Sequence, residues 1–99
     1  MLLNLINLIQ IAMKREEAGI VIKRIFEECN GIEGKSLKLM PPDANNVLSK
    51  GCQIHIDTGK DDILNSCLKF VANKSNLAVE LEENYSILYK PKKNKKPVT

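Results

Sequence analysis

The sequence has no tryptophan and one histidine, and only 4% of its 99 residues are aromatic. Each scarcity removes a class of site. A lone histidine, His55, excludes a histidine pair on a metal and would need a partner from elsewhere for acid–base work. Cysteine is sparse as well: Cys29, Cys52 and Cys67 stand far apart and form no C-x-x-C pair, so neither a zinc cluster nor a disulfide framework is expected. All three fall on apolar faces, where a free cysteine behaves as a small hydrophobe. Three reduced core residues in a reducing compartment are expected, hence a cytoplasmic protein.

Long apolar runs are missing too. Residues 1–13 are nearly all apolar, but Asn4, Asn7 and Gln10 interrupt them and Lys14-Arg15-Glu16-Glu17 follows. A signal peptide needs an uninterrupted apolar run and a cleavage site of small residues, and a membrane span needs about 20 apolar residues. Neither is expected here. Glycine-rich loops are equally scarce. Gly31 and Gly34, ahead of Lys35-Ser36, have the wrong spacing and the wrong flanking elements for a phosphate loop, and read as a helix cap and turn. No Ser-His-Asp or Cys-His arrangement can be assembled, so no enzyme and no cofactor are expected.

What is present describes one small α+β domain over residues 1–90. Ala18, Val21, Ile22, Ile25 and Cys29 recur at the spacing of a helix face, with Phe26 beside them and a stop at Asn30-Gly31. The period then changes to two. Leu37 and Leu39 alternate with Ser36 and Lys38, and Cys52, Ile54 and Ile56 alternate with Gln53, His55 and Asp57. Thr58, followed by Asp61, reads as the cap of a second helix carrying Ile63, Leu64, Cys67, Leu68 and Val71, with Phe70 on its flank. Leu77 to Leu81 and Tyr85 to Tyr89 then form a hairpin around Glu83-Asn84. The order helix-strand-strand-helix-strand-strand predicts a two-layer sandwich: a four-stranded, mostly antiparallel sheet with the helices on one face.

The second half, strand-helix-strand-strand, resembles in element order the TusA-like sulfur carriers and the C-terminal domain of bacterial translation initiation factor three. The carriers hold sulfur on a Cys-Pro dipeptide. Met40-Pro41 stands in that place here, and a thioether forms no persulfide. No functional residue carries over.

Three regions invite a functional reading. The N-terminal helical segment, residues 1–13, places Leu2, Leu5, Ile6 and Ile9 on one face, which a small domain has little core to bury. A homodimer, or another protein docked on that face, is therefore the leading expectation: a non-enzymatic protein-interaction module. The alternative is a nucleic-acid-associated protein. Lys90, Lys92, Lys93, Lys95 and Lys96 supply five of fifteen cations, so residues 1–89 carry ten cations against twelve anions and the net +3 belongs to the tail. That Lys-rich segment, disordered over residues 91–99, could bind RNA or DNA weakly and without sequence preference. The third region is the open sheet face, read as Lys38, Gln53, His55, Asp57, Glu80 and Glu82. It has mixed charge and no stacking platform, and His55 on it should titrate as a solvated imidazole near about 6.5.

Overall fold

The computed structural model describes residues 12–43 and 49–91. Helix α1 (Arg15–Glu28) is followed by strands β1 (Leu37–Met40) and β2 (Gln53–Ile56), helix α2 (Asp62–Lys74) and strands β3 (Ala78–Leu81) and β4 (Ser86–Tyr89). The four strands form one sheet in the order β1-β2-β4-β3 with every pair antiparallel, so the hairpin β3–β4 docks through β4 on β2. This is the expected α+β sandwich. Among the described residues, no helix is long and apolar enough to cross a membrane.

Both helices bury the stripe that their periodicity dictates. Ala18, Val21 and Ile25 of α1 meet Leu64, Leu68, Val71 and Ala72 of α2 over Ile54, Ile56 and Leu88 of the sheet. α1 packs over β2 and α2 over β3, which leaves β1 at the edge with Leu39 partly exposed rather than buried. Three side chains expected in the apolar stripes are solvated: Phe26 and Phe70 are half exposed and Ile63 is 82% exposed. The cause is angular. Residues 63 and 70 lie one position, or about 100°, off the row centred on Leu64, Leu68 and Val71. Phe70 instead carries the Lys74 ammonium 5.0 Å from its ring centre.

Two core residues were not expected from periodicity. Ile32 is buried in the loop after α1, and Met13 is buried where the chain enters α1. Met13 pairs with the lead-in to β2: its N–H donates to the Lys50 carbonyl and its carbonyl accepts from the Cys52 N–H. Gly51 sits at φ +83°, and a Cβ there would overlap the Met13 carbonyl oxygen, so only glycine fits this crossing.

The cysteine expectation is corrected for two of the three residues. Cys29, at the C-cap of α1, is disulfide-bonded to Cys67 in α2, and Cys52 alone is free and buried. The inference from reduced thiols to a reducing compartment therefore loses its premise at that pair. The helix start is corrected too. Asp61, not Thr58, caps α2, accepting from the Leu64 N–H at 3.0 Å. Thr58 is buried instead, with its hydroxyl against that of Ser86, which in turn donates to Asn65 Oδ1, so the polar groups of this corner are satisfied.

Candidate functional site

The faces of β2 and β4 are set by register. Ile54 opposes Leu88 and Ile56 opposes Ser86 on the side of the helices, so His55 and Ile87 project from the other side. Glu80 of β3 opposes Ile87 and Lys38 of β1 opposes His55, giving the row Lys38, His55, Ile87, Glu80 across the helix-free face. Tyr85 and Tyr89 lie two residues either side of Ile87 and share that face. It therefore carries aromatic side chains, contrary to the sequence expectation.

Much of this face is closed. Gln53, Ile87 and Tyr89 are each only 8% exposed, although both described helices pack on the opposite side. Polar contacts lock part of it. Gln53 Nε2 donates to Ser49 Oγ at 2.8 Å while its Oε1 lies 2.7 Å from His55 Nε2. Burial raises the Tyr89 phenol above its ordinary range, and the Glu80 carboxylate, which hydrogen-bonds it, pushes in the same direction.

The accessible part lies at one end, where β1 and β4 begin and β2 ends. There a pocket of about 360 Å³ is lined by Ser36, Lys38, His55, Ile56, Asp57, Asn84 and Tyr85. The local backbone fixes its rim. The Asp57 N–H donates to the Ser36 carbonyl at 2.9 Å, the Glu82 N–H to the Tyr85 carbonyl at 2.8 Å and the Gly59 N–H to the Asn84 carbonyl at 2.9 Å. Together these hold the β3–β4 turn against the end of β2.

Inside the pocket the His55 and Tyr85 rings are stacked, with centroids 5.5 Å apart and planes 21° apart. Tyr85 stays 39% exposed, so part of its ring is open to a further planar group. His55 is not the solvated imidazole expected from sequence. Burial, and then the nearby Lys38 ammonium, lower its pKa below 6.5, which keeps the ring neutral at pH 7. Gln53 Oε1 can only accept, so His55 Nε2 carries the proton and Nδ1 is left as an acceptor. The pocket thus offers an aromatic stack, one ammonium and several acceptors. Among the described residues, no group of three or more His, Cys, Asp or Glu is placed to hold a metal ion.

The other candidate residues sit elsewhere. Lys90 is committed within the domain, its ammonium 2.9 Å from Glu17 Oε2 and 3.1 Å from Oε1. The Lys50 N–H donates to the Lys90 carbonyl, and Pro91 bridges Ser49 beyond it. Lys92, Lys93, Lys95 and Lys96 lie outside the described residues, as do Leu2, Leu5, Ile6 and Ile9. No protein-family model, curated protein or solved structure matches the chain.

Proposed function

We propose that this chain is a small non-enzymatic binding module, associated with nucleic acid, that captures one unstacked base in the His55–Tyr85 pocket. The stacked pair beside Lys38 carries the reading. Aromatic rings accept any base on their open face, at a gain of about 1–3 kcal/mol per stacked base, and a neighbouring ammonium neutralises the attached phosphate. Since Gln53, Ile87 and Tyr89 are buried, the face has room for one base at its open end and not for a strand laid across it. The lysines at 92, 93, 95 and 96 then add sequence-independent attraction, without Lys90, which serves the ion pair with Glu17.

The protein-interaction reading, a homodimer or a partner on Leu2, Leu5, Ile6 and Ile9, which was the leading expectation from sequence, becomes the second proposal. Met13, the last residue of that stretch, packs within its own domain, which moves any such face to the residues before it.

The test titrates a labelled single-stranded RNA decamer, its duplex and uridine monophosphate against three proteins: the full chain, Tyr85→Ala and a chain ending at residue 91. The expected order is single strand over duplex, with a roughly 5- to 150-fold loss in Tyr85→Ala. Truncation should retain that preference while flattening the salt dependence by about 0.7 in log–log slope for each phosphate no longer neutralised. Affinity for the mononucleotide equal to that for the strand would name a free nucleotide as the source of the base. Binding that ignores Tyr85→Ala and vanishes on truncation would assign recognition to the tail and overturn the pocket reading.

A further inference from the structure

We infer that Asp57 makes this pocket selective for guanine; the inference rests on the pocket being a nucleobase site. Asp57 follows β2 directly and lines the pocket together with Tyr85. Its backbone is fixed by the N–H bond to the Ser36 carbonyl. Its carboxylate makes no hydrogen bond or ion pair with any described residue, Lys38 included, although both line the same pocket. Asp57 is exposed at the pocket mouth, so a ligand can reach its carboxylate without first breaking a protein contact.

The four bases differ in what they offer it. An ionised carboxylate has two oxygens and can only accept. Guanine alone presents two adjacent donors on its Watson–Crick edge, the ring N1–H and the exocyclic N2–H, spaced to meet both oxygens. Adenine and cytosine set one donor beside a ring-nitrogen lone pair, which the carboxylate repels. Uracil sets one N–H between two carbonyl oxygens. Lys38 stands across the strand pair from His55 and supplies the positive charge for the phosphate of the same nucleotide. The competing group is the Asn84 side chain, whose amide combines a donor with an acceptor and would suit adenine.

The experiment uses the full chain and uridine pentanucleotides whose central base is guanine, hypoxanthine, adenine, cytosine or uracil, with binding followed at the His55 and Tyr85 ring signals. The guanine strand should bind at least about tenfold tighter than the adenine, cytosine and uracil strands, as expected of a bidentate contact. Hypoxanthine, which lacks the exocyclic amino group, should fall between. Asp57→Asn should bring guanine down to the level of the others while leaving the uracil strand unchanged or improved. Equal binding of all five strands at the pocket, with Asp57→Asn neutral, would overturn guanine selection and leave the nucleobase site standing. A preference for adenine would also overturn it, handing the edge to Asn84. Failure of every strand to move the His55 and Tyr85 signals would defeat both the selection and the site.

Discussion

The two faces of this sheet are built from alternate residues of the same strands, yet the side chains on them are engaged in different ways. On the helix side, Ile54, Ile56 and Leu88 are fully buried in contact with α1 and α2, and the one polar strand residue there, Ser86, is bonded to Thr58 and Asn65. On the other side, Gln53 is held by Ser49 and His55, and Tyr89 by Glu80, while Tyr85, His55 and Lys38 border an open pocket. One face is closed by apolar packing. The other carries polar side chains tied to one another and is open at one end. If the proposed function holds, stability resides in the first and recognition in the second, and substitutions on the two sides should separate the two properties.

The largest expected effect lies on the packed face. Leu88→Ala removes a fully buried side chain from the core between sheet and helices and should cost about 2–5 kcal/mol in urea unfolding, while Tyr85→Ala, on the open face, should cost less, about 0.5–1.5 kcal/mol for the lost stack on His55. Equal losses at both positions would break the comparison.

Next comes the link between the helices above that face. The bond between Cys29 and Cys67 closes a separation of 38 residues, and reduction should cost about 2–4 kcal/mol, read as a lower melting temperature in a thiol-reducing buffer. An unchanged melting temperature would show that packing between α1 and α2 suffices without it.

The smallest effect belongs to His55 and has a defined sign. Its folded-state pKa is depressed, first by burial and then by Lys38, so below the ordinary value of about 6.5 the unfolded chain takes up a proton more readily. The stability that neutral His55 contributes is fully present above about 6.5 and is lost as the pH falls through the folded-state pKa. His55→Gln should flatten the stability profile in that window relative to the parent chain. A parallel profile in the variant would mean that other groups control it.

Legibility in the sequence divides along the same line. Element order, the antiparallel sheet and the buried rows of both helices follow from local periodicity, because Ala18-Val21-Ile25 and Leu64-Leu68-Val71 carry their geometry in their spacing. The disulfide was not legible, since pairing Cys29 with Cys67, 38 residues apart, depends on how two helices come together. Nor was the burial of Met13 and Ile32, which sit outside any periodic run. The aromatic pocket was within reach. Once the turn is Glu83-Asn84, Glu82 must oppose Tyr85 and Glu80 must oppose Ile87, which places Tyr85, Ile87 and Tyr89 on the face of the glutamates and not in the core. Reading the open face as Lys38, Gln53, His55, Asp57, Glu80 and Glu82 stopped at the turn and left out Tyr85, which the same register places beside them.

Mapping where a ligand touches the protein is the most direct test of recognition at the open end of the sheet. With the full chain uniformly labelled and a short single-stranded RNA added at low salt, amide and ring signals of Ser36, Lys38, His55, Asp57, Asn84 and Tyr85 should shift in proportion to saturation, while those of Ile54 and Leu88 on the packed face stay in place. Shifts confined to residues 92–99, or spread over α1 and α2 with the pocket silent, would contradict it.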